Sequence, residues 1–246
     1  MIGVIGSGNL ARALVRGWSF PVLLTDGGSG SAETLAAEVG GERCASNAEL
    51  AERADVLVLC HKPYQLQEIA AEAAGKAKAV ISTLARTSSA EVEQAFAGAS
   101  VVRVMPSIAA ELRKAVTVIA DSRDSELQER TTELFEQVGV VVTLEERLLD
   151  VAAGIGGVGP AYVAAIVEAW VDSAVKHGLR ADDAAKLAIA TLAGGAALLN
   201  HHHADTLAVR RAVTSPGGIT ARGLAALDRA GLPAAFDVAM DAVLSK

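Results

Sequence analysis

The pattern of secondary-structure signals changes at about residue 145, and this change limits the fold more than any other feature of the chain. Before that residue, short runs rich in Val, Ile and Leu alternate with helical stretches, which is typical of βαβ units on a parallel sheet. After it the strand signals end and Ala-rich helical segments follow. The sequence therefore predicts an α/β fold, with an open parallel sheet in residues 1–145 and an all-α domain in residues 146–246.

The predicted strands are short and apolar, as strands covered on both faces should be. They lie at Ile2–Ile5, Val22–Thr25, Val56–Cys60, Ala79–Ser82, Val101–Val104, Val116–Ala120 and Val140–Thr143. Helices are predicted at Leu10–Gly17, Glu33–Val39, Ser125–Val138, Pro160–His177, Ala181–Leu199, Asp205–Val213, Thr220–Ala230 and Pro233–Leu244.

Composition and charge argue against several classes of partner. The chain has 246 residues and a formal net charge of −7, with no basic block, so neither nucleic acid nor an anionic membrane would attract it. Cys44 and Cys60 have no zinc-ligand spacing and are expected to be reduced thiols. Met1 is followed directly by a strand-like segment, and apolar stretches are expected to break before they reach the length of a membrane span. We therefore expect a cytoplasmic protein with no membrane or nucleic-acid partner.

The predicted helices of the second domain are apolar on more than one face. Residues 161–169, for example, contain a single charged residue, Glu168. A helix that is apolar all round has to be buried, and a domain of this size has little interior in which to bury it. We therefore expect a homodimer or a larger homo-oligomer that is joined through the α domain.

A glycine-rich turn connects the first predicted strand to the first predicted helix. Residues 6–11 read Gly-Ser-Gly-Asn-Leu-Ala and fit G-x-G-x-x-(G/A), a pattern that is weak alone but stands here between a strand and a helix. Gly6 permits the turn, Gly8 lets the backbone approach a pyrophosphate, and the helix N-terminus supplies N–H groups. This predicts a Rossmann-type NAD(P)-binding domain, against the alternative of a purely structural turn. The expected contacts are Ile5, Gly6, Ser7, Gly8, Asn9 and Leu10.

Asp26 ends the second predicted strand, where an acidic side chain can accept hydrogen bonds from the ribose of the adenosine. Its charge would repel a 2′-phosphate, and no Arg or Lys stands near it in the sequence, which favours NADH over NADPH. The preference is weak, because residues 27–31 (Gly-Gly-Ser-Gly-Ser) could offer backbone and hydroxyl donors to a phosphate. Alternatively, Asp26 only starts a turn.

Further candidates stand after other predicted strands, at the sheet edge where open α/β sheets bind ligands. His61, Lys62 and Pro63 follow one strand, and Lys62 could neutralise cofactor phosphate. Ser107 follows another and is expected to border the nicotinamide. Asn47 has an ordinary interpretation as the N-cap of the next helix.

The segment VTSPGGITARGL, residues 213–224, combines a rigid proline with two glycines before a predicted helix. Gly217 and Gly218 permit backbone geometry that other residues disfavour, and the helix that begins near Thr220 offers free N–H groups. Together they could hold a small anion such as a carboxylate. The alternative is a tight connection between helices with Thr220 as the N-cap.

Taken together, these motifs resemble the pyrroline-5-carboxylate reductase family nearly from end to end of the chain. The resemblance depends on GVIGSGNLA, SNAEL, HKP, VRVMPS, GPAY and, most specifically, VTSPGGIT. It implies a Rossmann domain, an all-α domain that forms an intertwined dimer, and reduction of a cyclic imine acid to proline by NADH or NADPH. It also implies that Asn47, His61 and Lys62 line the dinucleotide, that Ser215 to Gly218 hold the substrate carboxylate, and that Thr220 hydrogen-bonds the ring nitrogen.

The sequence also departs from the family pattern around the expected site. Ser107 replaces an Asn, residues 156 and 158 replace two serines, Arg86 adds a charge, and Ala212 replaces a polar residue. These changes leave two alternatives open: a reductase of another cyclic imine acid, or a dinucleotide-binding relative without catalysis.

Two enzyme rivals are less favoured by the sequence. A β-hydroxyacid dehydrogenase needs a lysine about one turn after a glycine-rich segment, and none occurs between Gly159 and Lys176. A coenzyme F420-linked NADP oxidoreductase would share the first domain but leave the SPGG segment unexplained. We expect no metal: His201, His202 and His203 have no carboxylate or cysteine at ligand spacing.

Overall fold

The computed structural model describes residues 1–28 and 30–245 of the chain. Their contacts divide them into two compact units, one of residues 1–160 and one that begins at Ala161. The sequence analysis expected a boundary at residue 145, which precedes this division. Each unit is described separately below.

The first unit contains an eight-stranded sheet with the order β3-β2-β1-β4-β5-β6-β7-β8. Its strands are β1 (Ile2–Ile5), β2 (Leu23–Thr25), β3 (Glu42–Arg43), β4 (Val56–Leu59), β5 (Ala79–Ser82), β6 (Ser100–Pro106), β7 (Ala115–Ala120) and β8 (Gly139–Leu144). The predicted α/β fold is confirmed, and each predicted strand is present close to its predicted bounds.

Helices cover both faces of this sheet. In the first unit they are α1 (Asn9–Trp18), α2 (Ser31–Glu38), α3 (Asn47–Arg53), α4 (Leu66–Ala73), α5 (Ser89–Ala95), α6 (Ser125–Glu136) and α7 (Leu149–Gly156). Side chains alternate between the two faces along each strand, so that Val4 and Val58 join one core cluster while Ile5 and Leu59 join the other. Strands buried on both faces explain the near-continuous apolar runs.

Two features of the sheet differ from the prediction. The strand β3 was not predicted, because its two residues, Glu42 and Arg43, are exposed and carry no apolar signal. The sheet is also mixed and not wholly parallel, since β7 runs antiparallel to β6. The connection of residues 107–114 is too short for the crossover that a parallel neighbour would need.

The second unit is wholly helical over the part that the structure describes. It begins within α8 (Gly159–Lys176) and continues with α9 (Ala181–His201), α10 (Thr206–Ala212), α11 (Ile219–Arg229) and α12 (Leu232–Leu244). Tyr162 and Phe236 contact edge to face, with ring centroids 6.5 Å apart. Among its described residues only Ala184 and Ala188 are buried, so these helices share almost no core of their own.

One segment contradicts the expectation that no apolar stretch reaches the length of a membrane span. By length and composition alone, residues Glu146–Lys176 satisfy that criterion, with a mean hydropathy of 1.5. Within the segment Gly157 and Val158 separate α7 from α8, and Glu168 and Asp172 lie on α8.

Candidate functional site

A cavity of about 780 Å³ lies at the carboxyl ends of β1, β2, β4 and β5 in the first unit. Parallel strands direct ligands to this edge of a sheet. The cavity is lined by eleven of the twelve residues predicted to contact the cofactor: Ile5, Gly6, Ser7, Gly8, Asn9, Leu10, Asp26, Asn47, His61, Lys62 and Pro63.

The two glycines of the first turn differ in what surrounds them. Gly6 has φ +109°, and a Cβ there would lie 2.8 Å from the carbonyl carbon of Cys60, so only glycine fits. Gly8 is the N-cap of α1, and a Cβ there would meet nothing within 4 Å. The first amides of α1 therefore face open space, where a pyrophosphate could accept their hydrogen bonds.

Asp26 holds the turn that leads from β2 to α2. Its carboxylate accepts hydrogen bonds from the backbone N–H groups of Gly28 and Ala32, each at 3.0 Å. Asp26 can therefore stabilise the turn and still contact a ligand in the cavity, because a carboxylate oxygen can accept more than one hydrogen bond. Ser29, which the sequence analysis included in this loop, lies outside the described residues.

Arg43 corrects the argument that no basic side chain is available to a 2′-phosphate. Its strand β3 pairs with β2 so that Arg43 lies opposite Leu24, two residues before Asp26, and Arg43 lines the same cavity. Its guanidinium is exposed and makes no hydrogen bond or ion pair within the described residues. Nothing in the sequence indicated this proximity, because β3 itself could not be predicted.

Asn47 is not the N-cap that its position in the sequence suggested. Ser46 takes that role, accepting a hydrogen bond from the backbone N–H of Glu49. Asn47 begins α3, and its side chain accepts a hydrogen bond from Thr25 at 2.6 Å and donates one to Glu72 at 2.9 Å. These two bonds fix the amide at the cavity wall.

His61 presents a polar atom without a partner. Its Nδ1 donates to the carbonyl oxygen of Lys62 at 2.9 Å, while its Nε2 is buried and has no hydrogen-bond partner among the described residues. Burial lowers the pKa of His61, so the ring is neutral at pH 7. A ligand in the cavity could donate a hydrogen bond to the free lone pair. Together with the open space at Gly8, this atom fits a bound dinucleotide.

Ser107 is the one predicted cofactor contact that does not line the cavity. It is buried, its Oγ accepts a hydrogen bond from the backbone N–H of Val116 at 3.2 Å, and the following residue, Ile108, lines the cavity instead. Gly27, from the loop expected to offer donors to a phosphate, also lines the cavity, as does Ser46 of the SNAEL motif. The other lining residues belong to no motif found in the sequence: Thr25, Arg43, Cys44, Ala45, Cys60, Gln65, Glu68, Ile69, Glu72, Thr83, Leu84, Ala85 and Ile108.

The SPGG segment of the second unit forms a tight turn at the start of α11. The N–H of Gly218 donates to the carbonyl oxygen of Ser215 at 3.0 Å, and Gly217 has φ +68°, which favours glycine. A Cβ on Gly218 would overlap the Ser215 hydroxyl, so a larger residue at this position would require that side chain to rotate. Gly218 is the N-cap of α11, and Thr220 is its second residue. Thr220 is therefore not the cap, and its hydroxyl is not used to close the helix.

The histidine run ends a helix. His201 is the last residue of α9, and its ring lies edge to face with that of His202 at 5.1 Å. Over residues 1–28 and 30–245, no group of three or more His, Cys, Asp or Glu residues could hold a metal ion.

Comparison with known proteins covers both units. A family model described as pyrroline-5-carboxylate reductase dimerisation matches residues 146–246, and one described as NADP oxidoreductase, coenzyme F420-dependent, matches residues 1–86. A pyrroline-5-carboxylate reductase of Methanosarcina acetivorans is 32% identical over 256 aligned residues, covering 99% of this chain and 94% of that protein.

Two solved structures share the architecture. A pyrroline-5-carboxylate reductase from Coxiella burnetii has a TM-score of 0.89 and 26% identity, and the match covers 98% of this chain and 95% of that one. The Plasmodium falciparum enzyme with NADP bound has a TM-score of 0.85 and 22% identity, and the match covers 98% of this chain and 94% of that one. At this identity the match shows only that the two chains share a fold. With a relative more than 30% identical over nearly its whole length, the chain belongs to the pyrroline-5-carboxylate reductase family.

Proposed function

We propose that this protein reduces 1-pyrroline-5-carboxylate to L-proline with NADH or NADPH, the last step of proline biosynthesis. The observation that carries the proposal is the SPGG turn, which leaves the hydroxyl of Thr220 and the first amides of α11 available to a ligand. The family membership and the dinucleotide-sized cavity of the first unit support it.

In this proposal the SPGG turn binds the substrate. The backbone N–H groups of Gly217 and of the start of α11 hold the carboxylate, because a helix N-terminus favours negative charge. The Ser215 side chain borders the same turn. Thr220 both donates and accepts hydrogen bonds, so its hydroxyl can follow the ring nitrogen as that atom changes from imine to amine.

The first unit binds the cofactor, which supplies the hydride that the imine carbon receives. The amides after Gly8 hold the pyrophosphate, and Lys62 lies at the cavity rim where its charge can neutralise phosphate. Asn47 and His61 contribute the polar atoms of the wall. Catalysis then comes mainly from orienting two planar reactants, with no strong general base required.

Both cofactor forms fit the residues at the carboxyl end of β2. Asp26 favours the ribose hydroxyls of NADH, as the sequence suggested, but its charge is already balanced by two backbone N–H groups. Arg43 offers an unpaired guanidinium to the 2′-phosphate of NADPH. We infer that Arg43 supports use of NADPH, so Arg43→Ala should lower kcat/KM for NADPH about tenfold and leave that for NADH within about twofold.

The remaining expectations belong to the same proposal. Residues 1–145 act as the NAD(P)-binding domain and residues 146–246 as the substrate and dimerisation domain, which the match of the dimerisation family from residue 146 supports. The protein works in the cytoplasm as a homodimer or a larger homo-oligomer. Its exposed apolar helices support the assembly.

The test is oxidation of NADH and NADPH at 340 nm with pyrroline-5-carboxylate, in wild type and in Thr220→Ala. Loss of the hydroxyl should lower kcat by about two orders of magnitude, and Thr220→Ser should recover most of it. Thr214→Ala is the matched control, because Thr214 stands in the same segment but bonds the carbonyl oxygen of Arg210. Equal activity in wild type and Thr220→Ala would contradict the assigned role.

One observation, at Ser107, favours a different cyclic imine acid as the substrate. Ser107, which replaces the family's Asn, is buried and uses its hydroxyl on Val116, so the polar group expected beside the nicotinamide is missing. If wild type binds dinucleotide without oxidising it in the presence of pyrroline-5-carboxylate, six-membered cyclic imine acids are the next substrates to test. Turnover of none of them would indicate a relative that binds dinucleotide without catalysis.

A further inference from the structure

Arg103 is the only charged residue among the buried ones in the described chain, with 4% of its surface exposed. It lies on β6 opposite Ser82, the last residue of β5. The residues on either side of it, Val102 and Val104, are buried and apolar. Burying a guanidinium in a sheet is costly unless partners compensate.

The partners of Arg103 come from the segment that follows β8. One terminal nitrogen contacts Oδ1 of Asp150 at 2.6 Å, and the other lies 3.8 Å from Oε1 of Glu146. The buried Nε–H has no acceptor among the described residues. Replacing a whole buried ion pair by well-packed apolar side chains is often neutral for stability. Stability alone therefore gives no reason for an arginine at this position.

Glu146 connects this ion pair to another element. Its Oε1 accepts a hydrogen bond from the backbone N–H of Ser89, the first residue of α5, at 2.6 Å. The same helix end is closed by a capping box between Ser88 and Glu91. Hydrogen bonds from Ser88 lower the pKa of Glu91, and the charge of Arg103 lowers it further.

The chain just before α5 is a wall of the dinucleotide cavity. Thr83, Leu84 and Ala85 line the cavity and lead through residues 86–88 into α5. The cavity wall is thus joined through the chain to Ser89, which bonds Glu146. Glu146 lies beside Arg103, and Arg103 bonds Asp150 at the start of α7.

We propose that Arg103 is a positioning residue that fixes the start of α7 to the cavity wall at residues 83–85, so that the geometry of the wall and of α7 change together. The part of this inference that concerns turnover depends on the proposed function. The mechanical part, the link between α5 and α7, does not.

The test compares amide hydrogen exchange in the full-length protein without ligand. In Arg103→Met, exchange at Ser89 and over residues 146–156 should rise at least about tenfold, while exchange at residues 2–11 stays unchanged. Glu146→Gln, which keeps an oxygen acceptor but loses the charge, should give a smaller rise and serves if Arg103→Met does not fold. Glu145→Gln is the matched control, because Glu145 is exposed and its carboxylate pairs, among the described residues, only with Arg147.

Kinetics distinguishes positioning from a merely structural role. Arg103→Met should bind NADH with a Kd within about twofold of wild type and lose about tenfold in kcat, and Arg103→Lys should recover part of that loss. A parallel fall of stability, affinity and kcat would overturn the positioning role, as would unchanged exchange in both Arg103→Met and Glu146→Gln. If wild type shows no turnover, the proposed function fails, and the exchange data still decide whether the link exists.

Discussion

The candidate sites of the two units differ in how much buried core supports them. The first unit surrounds its cavity with a filled core on both faces of an eight-stranded sheet. The second presents the SPGG turn on helices of which, among the described residues, only two alanines are buried. The cavity of the first unit is therefore positioned by a core of its own. The SPGG turn of the second unit lies on helices that this unit cannot stabilise alone.

This difference indicates what each unit needs in order to function. A unit with its own core can hold backbone amides in place for a dinucleotide. Helices with many exposed Leu, Ile, Val and Phe side chains need a partner surface to become rigid. The match of the second unit to a dimerisation family indicates that this surface is a second copy of the chain.

The largest expected effect comes from breaking the assembly on α8. Val163, Ile166 and Trp170 are spaced three and four residues apart and are all exposed, with Trp170 at 49%. A buried glutamate in their midst would be left unpaired, so Ile166→Glu should weaken self-association at least about 100-fold and abolish turnover. Sedimentation velocity over a range of concentrations measures the change.

The matched control places the same charge in the first unit. Leu112 is 76% exposed and belongs to no core cluster, so Leu112→Glu should leave the mass of the assembly and the melting temperature unchanged. Retained assembly in Ile166→Glu would show that α8 is not the interface.

A smaller and local effect is expected at the two glycines of the cavity. Gly8→Ala should raise the Kd for dinucleotide at least about tenfold while stability stays within about 1 kcal/mol, because the new methyl enters only the space beside α1. Gly6→Ala should lower both the affinity for dinucleotide and the stability of the fold, since its backbone at φ +109° and the Cys60 carbonyl leave no room. Titration by fluorescence and thermal melting separate the two outcomes, and equal melting temperatures would contradict the distinction.

The smallest effect concerns the imidazole of His61, whose Nε2 is buried. Because burial lowers the pKa of His61 in the folded chain, protons bind the unfolded chain first as the pH falls below about 6.5. Stability should therefore decrease as the pH falls below that value, by at most about 1.4 kcal/mol per pH unit. Urea unfolding of wild type and His61→Gln at pH 7.5 and 5.5 tests this, and an equal pH dependence of the two proteins would refute it.

The fold class could be predicted because each central strand is buried on both faces and has a Val- and Ile-rich sequence. The glycine turn could be predicted because Gly6 meets a geometric demand that other residues fail and because Gly8 leaves open space beside α1. β3 could not be predicted, since two exposed residues on a sheet edge carry no hydrophobic period. Arg43 was missed with it.

Other parts of the site depend on distances that a sequence does not contain. Ser107 was predicted to border the cofactor from its place after a strand, but its hydroxyl is bound to Val116, on the neighbouring antiparallel strand. The pairing of Arg103 with Asp150 joins residues 47 positions apart. Neither contact leaves a periodic or motif-like trace in the chain.

The reversed direction of β7 and β8 has a consequence for how the length of this chain can vary. Val104 pairs with Ile119, so β7 ends near the level of Arg103, and Leu144 at the end of β8 lies beside Ala120. The chain thus leaves β6 at Pro106, passes through β7, α6 and β8, and returns to the level of Arg103. Insertions or deletions in the loop of residues 121–123 can be absorbed within that excursion without displacing Glu146, whereas one residue added to β6 would shift the register of every contact around Arg103.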